Sequence, residues 1–277
     1  MNRFIKLVNF ELSRFMKIYL VLIGVTLVAQ VAGVIVKANQ YMGKANQAIY
    51  EDMVSKAQFL DQTGPMSMMH FVKSMWFMGP IALCVVTLVI YIFFIWYRDW
   101  VGKNTFIYRL LMLPTSRLNV YLAKAISIFL MVLGLVAIQL LLLPLESKVL
   151  TWVVPSDFRM DMPVDQIVSN FYYLTILYPK SFIEFVLYYG AGFMVLTVLF
   201  TAVLFERSYK WKGILLGAGY GFLSIVIFVL PLIPMVIFQK EYLYPIEILI
   251  VEIIMGLIVT AAAIWLGGFL LKKKITV

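Results

Sequence analysis

Six runs of apolar residues constrain this chain more than any other feature, because a helix needs roughly 20 such residues to cross the hydrocarbon core of a bilayer. They lie near 18–36, 76–96, 125–144, 182–205, 213–238 and 246–271. In lipid each backbone N–H and C=O has to be paired within its own segment, which a single helix achieves alone. The expected fold is an all-α integral membrane protein with six transmembrane helices, organised as one domain over residues 1–277. Composition agrees, since 63% hydrophobic residues, 13% charged residues and a mean hydropathy of +0.96 leave too little polar surface for a soluble globule.

An even number of spans puts both ends of the chain on one side, and the basic residues say which. With the termini inside, Arg3, Lys6, Arg14, Lys17, Arg98, Lys103, Arg109, Arg117, Lys124, Arg207, Lys210, Lys212, Lys272, Lys273 and Lys274 all fall on the cytoplasmic face, fifteen of the 23 Lys and Arg. The remaining eight lie outside, mainly in two long loops near 37–75 and 145–181, and nine acids, Glu51, Asp52, Asp61, Glu146, Asp157, Asp161, Asp165, Glu241 and Glu247, offset them. The formal charge of +9 is thus a statement about sidedness and implies no nucleic-acid partner.

The first seventeen residues, MNRFIKLVNFELSRFMK, place Phe4, Val8, Leu12 and Phe15 at helical spacing beside Arg3, Lys6 and Arg14. That pattern predicts an amphipathic helix lying in the membrane interface. A cleaved signal peptide is the weaker reading, since no small-x-small site follows. In the first long loop, Ile49, Met53, Ala57 and Leu60 recur at helical spacing and predict a short helix, serving as a cap on the bundle or as a substrate-receiving surface.

Little enzyme chemistry is available. One Cys (Cys84) and one His (His70) exclude a disulfide framework and the usual zinc ligand sets. Ser67 near His70 lacks an orienting acid. The single GKN, residues 102–104, lacks the upstream Gly and the hydroxyl residue of a phosphate-cradling loop, so no nucleotide or other cofactor is expected on this chain.

Charged residues inside spans are costly and therefore informative. Glu184 and Glu252 each stand a turn or two inside the outer boundary, where they snorkel, pair with neighbours or form a proton or cation site. Gln30 and Gln139 read as interhelical hydrogen-bond partners. Gly213, Gly217 and Gly221 repeat at i+4 and predict close helix packing, and Pro231, Pro234 and Pro245 break the backbone around the last outer turn, as an outer gate or a kinked hairpin.

Between the second and third spans runs YRDWVGKNTFIYRLLMLPTSRLNVYLAKA, residues 97–125. TFIYRLLML suits a short helix ended by Pro114, and Thr115 or Ser116 can cap the helix that follows. A short, mostly apolar cytoplasmic helix lies in the bilayer interface or docks into a partner's groove. The order Arg98-Asp99, Gly102, Thr105, Leu110-Leu111, Pro114, Ser116-Arg117, Lys124 resembles the cytoplasmic loop of bacterial ATP-binding-cassette exporter permeases of the second type. Six spans and both termini inside fit the same family. Ala123, where that family frequently has Gly, and the two long loops depart from it.

The resemblance implies a coupling helix that seats Thr105, Phe106, Arg109, Leu110, Leu113, Pro114 and Arg117 against a separate nucleotide-binding ATPase, which would carry ATP and magnesium. It also implies a second permease subunit, identical or related, and a place in a bacterial cell membrane. The substrate class would be lipid, peptide or hydrophobic drug. A secondary transporter or channel using Glu184 or Glu252 is the competing expectation, and a scaffold or immunity-type membrane protein is the third.

Overall fold

The computed structural model describes residues 3–100, 106–233 and 244–275. In chain order its elements begin with α1 (Arg3–Tyr50), α2 (Lys56–Thr63), β1 (Met66–Ser67), α3 (Met68–Val72) and α4 (Met75–Trp100). Next come α5 (Phe106–Leu111), α6 (Arg117–Val153), a 3-10 turn at Ser156–Phe158, β2 (Arg159–Met160), α7 (Val164–Asn170) and α8 (Tyr172–Leu177). The chain continues with α9 (Phe182–Tyr209), α10 (Trp211–Val229), a 3-10 turn at Leu230–Leu232, and α11 (Pro245–Lys273). Among the described residues, six helices are long and apolar enough to cross a membrane: α1, α4, α6, α9, α10 with its 3-10 turn, and α11. The protein is an all-α, multi-pass membrane protein.

Several helices outrun the spans expected from hydropathy. Residues 3–17 form no element of their own, because α1 runs unbroken for 48 residues. No Gly or Pro interrupts the chain before Gly24, so nothing stops the first turns from joining the span. Pro144, expected to close the third span, sits inside α6, which continues to Val153. In the first long loop the helical register breaks at Met53, which is exposed at φ 54°, and α2 restarts behind an N-cap in which Ser55 Oγ accepts from the Gln58 N–H at 3.3 Å.

Packing divides the chain into two compact units. One comprises Met1–Arg14, Leu88–Leu130 and Lys180–Val277, the other Phe15–Thr87 and Met131–Pro179. In the first, α9 packs against both α10 and α11, around Met194, Val198, Val259 and Ala263. The Tyr121 hydroxyl donates to the Thr197 carbonyl at 2.8 Å, and Thr201 Oγ1 donates to the Ala263 carbonyl at 2.8 Å, tying α6, α9 and α11 together through buried polar atoms.

The second unit joins the two long loops into one folded body. β1 and β2 pair in parallel, Met66 opposite Arg159 and Ser67 opposite Met160. Lys56 reaches Asp157 at 2.7 Å, and Arg159 caps α6 by donating to the carbonyls of Thr151 at 3.0 Å and Val154 at 2.8 Å. Beneath lies a core of Val34, Ala38, Phe59, Phe71, Phe77, Leu143, Leu150 and Ile167. In the same unit Gln30 Nε2 donates to Gln139 Oε1 at 3.0 Å, and Tyr41 donates its hydroxyl to the Gly64 carbonyl at 2.8 Å.

Candidate functional site

α5 is a single turn and a half, and its two faces do different things. Ile107, Leu110 and Leu111 are buried, and Phe106 is half-buried, stacked on Phe10 of α1 with ring centroids 5.8 Å apart. Tyr108 meets Trp100 edge-on at 6.3 Å. The opposite face carries exposed Arg109, then Met112, 70% exposed, Leu113 and Pro114. A tight turn holds these residues: the Met112 N–H donates to the Tyr108 carbonyl at 3.0 Å and the Thr115 N–H to the Leu113 carbonyl at 2.6 Å. The Arg3 guanidinium donates to the Pro114 carbonyl.

This geometry redistributes the residues that the sequence proposed for a partner's groove. Phe106, stacked on Phe10 of α1, and the buried Leu110 turn into the protein itself. Arg117 is also engaged internally, donating to the carbonyls of Leu271 at 2.6 Å and Ile275 at 2.9 Å, so it caps the C-terminus of α11. Thr105 lies outside the described residues. Arg109, Met112, Leu113 and Pro114 remain as an outward face.

Behind α5 stands a buried ionic cluster. Lys124 of α6, fully buried, donates to Glu11 Oε1 at 2.6 Å, to Asp99 Oδ2 at 2.5 Å and to the Ile95 carbonyl at 3.2 Å. Arg98 donates to Glu11 Oε2 at 3.1 Å, and Arg14 to Asp99 Oδ1 at 2.7 Å. Three cations therefore share two buried carboxylates from α1 and α4. Such groups persist in a low-dielectric interior only when paired and hydrogen-bonded. Arg14 also connects the cluster to α5, its guanidinium carbon 5.1 Å from the ring centroids of both Phe10 and Phe106.

Sidedness placed Arg14, Arg98 and Lys124 on the cytoplasmic face, but it gave no sign that they converge on Glu11 and Asp99. One signal was present: Glu11 stands between Val8 and Phe15 at i+3 and i+7 on the face expected to be apolar, which marks a buried acid in search of cations.

The remaining candidates have local roles. Glu184 closes the start of α9: its Oε2 accepts from the Lys180 N–H at 2.8 Å, while Ser181 Oγ accepts from the Glu184 N–H at 3.2 Å. Glu252 is half-buried on α11, with no hydrogen bond or ion pair among the described residues. Gly213 and Gly217 lie against the α9 backbone, where a Cβ would meet the Phe205 and Ala202 carbonyl oxygens, but nothing stands within 4 Å of a Cβ at Gly221. Pro231 sits in the 3-10 turn after α10 and Pro245 opens α11; Pro234 lies outside the described residues.

One acid belongs to none of these arrangements. Glu146 of α6 is fully buried, and neither carboxyl oxygen has a hydrogen-bond partner among the described residues. No group of three or more His, Cys, Asp or Glu among the described residues is placed to hold a metal ion. The site can seat a helix and couple charges.

Searches against protein-family models, curated proteins and solved structures find no match to this chain.

Proposed function

We propose that this chain is the membrane subunit of an ATP-binding-cassette exporter in a bacterial cell membrane, with both termini cytoplasmic. It moves a hydrophobic or amphipathic substrate outward, paired with a second permease subunit. ATP and magnesium bind to a separate ATPase, and this chain carries out no hydrolysis of its own. The observation that carries the reading is the two-faced α5: one side is seated on α1, and the other leaves Arg109, Met112, Leu113 and Pro114 exposed at the end of a short helix between two spans. An apolar pair with an adjacent guanidinium suits a groove edged by carboxylates.

The mechanism follows from how α5 is held. A partner that moves α5 pulls on Phe106, and Phe106 shares the Arg14 guanidinium with Phe10. Arg14 in turn holds Asp99, which shares Lys124 with Glu11. Displacement of a short surface helix is thereby felt at the ends of α1, α4 and α6 together.

The test is co-expression with the host's candidate ATP-binding-cassette ATPases, one at a time, followed by co-purification and an ATPase assay in lipid. Arg109→Glu with Met112→Asp should reduce association about thirtyfold, the effect of losing roughly 2 kcal/mol at a hot spot, while the thermal unfolding of the permease is unchanged. Undiminished association and coupling would sink the proposal. Glu252, half-buried and unpaired among the described residues, favours a second reading, a secondary transporter, which predicts transport that survives ATP depletion and stops in Glu252→Gln.

A further inference from the structure

The turn between α9 and α10 is a single residue, Lys210, held at φ 55° and ψ −131°. Residues with side chains rarely occupy that region. The Gly213 N–H donates to the Lys210 carbonyl at 2.9 Å, and a Cβ at Gly213 would collide with the backbone of Phe205 and Glu206. This tight turn leaves Lys210, Trp211 and Lys212 exposed, Trp211 at 85%.

A third cation arrives from the other end of the fold. Lys274, just past α11, has its Nζ 5.5 Å from the ring centroid of Tyr209, the residue before the turn. Arg117 fixes that C-terminal turn through the Leu271 and Ile275 carbonyls. None of the three lysines has an ion-pair partner among the described residues. Glu206, the nearest acid along the chain, accepts the Tyr97 hydroxyl instead.

Exposed Lys210 and Lys212 on the turn, with Lys274 beside Tyr209, place three like charges on one short stretch of surface, and an anion bound there offsets their repulsion. The turn joins two helices of membrane-spanning length, so it lies at a bilayer interface, where Trp and Tyr side chains anchor with one end apolar and one end wet. A phosphate-bearing ligand with an acyl body satisfies both requirements. We propose that Lys210, Lys212 and Lys274, with Trp211 and Tyr209, form a binding site for the headgroup of an anionic phospholipid. The site requires only that the chain lie in a bilayer, and it stands apart from the ATPase-docking reading.

Native mass spectrometry of the full chain in neutral detergent, titrated with phosphatidylglycerol and separately with phosphatidylcholine, tests this. Each lysine beside an anionic headgroup is worth about fivefold in affinity. The expected results are a clear preference of the wild type for phosphatidylglycerol and a loss of about tenfold or more in Lys210→Gln/Lys212→Gln/Lys274→Gln. Trp211→Ala should weaken binding of both lipids. A variant matched for charge, Lys37→Gln/Lys44→Gln/Lys148→Gln, should retain the preference, and millimolar inorganic phosphate should not abolish it.

Equal binding of the two lipids by the wild type would overturn the proposal. So would an equal loss in the matched variant, or full displacement by phosphate, which would mark a site for the free ion. A triple variant that kept its lipid preference but lost an ATPase partner would reassign the patch to a protein contact and overturn it as well. Unchanged thermal unfolding of the triple variant guards against misfolding as the cause.

Discussion

Phe106 stacks on Phe10 across 96 positions of sequence, ring centroids 5.8 Å apart and planes 26° from parallel, with the Arg14 guanidinium 5.1 Å from both rings. The pair decides which way α5 faces. Phe106→Ala removes the stack and one of the two cation-π contacts, at a cost of about 2 kcal/mol in seating α5. Tryptic cleavage after the exposed Arg109 should accelerate accordingly. Met112→Ala, on the outward face, should leave that cleavage rate unchanged; equal rates in the two variants would show that the stack does not hold the helix.

Lys124 is the common partner of Glu11 and Asp99, so Lys124→Met strands two buried carboxylates with only Arg14 and Arg98 to share. Removing one partner of a buried ionic group costs about 3–5 kcal/mol. Thermal unfolding in detergent should fall sharply, well beyond the effect of Lys273→Met at the exposed end of α11. A loss of similar size in both variants would mean that the cluster contributes no more than a surface charge.

The glycines of α10 should separate by position. Gly217→Leu forces a side chain against Ala202, whose carbonyl oxygen would lie 2.8 Å from the new Cβ, and overpacking of this kind costs about 1–3 kcal/mol. Gly221→Leu meets open space and should change stability by no more than about 0.5 kcal/mol. Equal sensitivity at the two positions would contradict the α9–α10 contact.

Glu146 has two buried carboxyl oxygens and, among the described residues, no donor for either, while Leu143 and Leu150 on the same face of α6 belong to the apolar core. Glu146→Leu conserves size and removes the unsatisfied atoms, so stability should rise by about 1–3 kcal/mol. A fall in the unfolding temperature would reveal a partner that the carboxyl needs.

Asp157 is held below the ordinary aspartate range, first by the hydrogen bond from Lys56 and then by its charge. A depressed folded-state pKa contributes stability above the unfolded value and loses it as pH falls through the folded one. Carboxyl resonances followed by NMR should place Asp157 below a free aspartate, and Lys56→Gln should return it upward. The effect on stability should be small, because the pair is solvent-exposed.

Hydropathy alone determined the class of this protein and the number of its spans. The cost of unpaired backbone in lipid is paid residue by residue, so any run of sufficient length and apolarity declares itself without reference to the rest of the chain. The same local logic located α5 before Pro114 and the close-packing glycines at Gly213 and Gly217. It also contained the Ser181-x-x-Glu184 cap, which gives Glu184 a place at the start of α9 as an N-terminal capping acid.

Tertiary structure decided the rest, because the deciding partners are distant in sequence. Glu11 and Lys124 are 113 residues apart, Arg117 and Leu271 are 154 apart, and Lys56 meets Asp157 across 101. Periodicity shows that α5 has an apolar face, but whether that face looks to a partner or to its own chain depends on Phe10. Helix length was equally beyond hydropathy: α1 and α6 continue past their apolar runs because their ends pack with α2, α3, α7 and α8 into a common core, whose contacts stabilise turns that are too polar to be read as span.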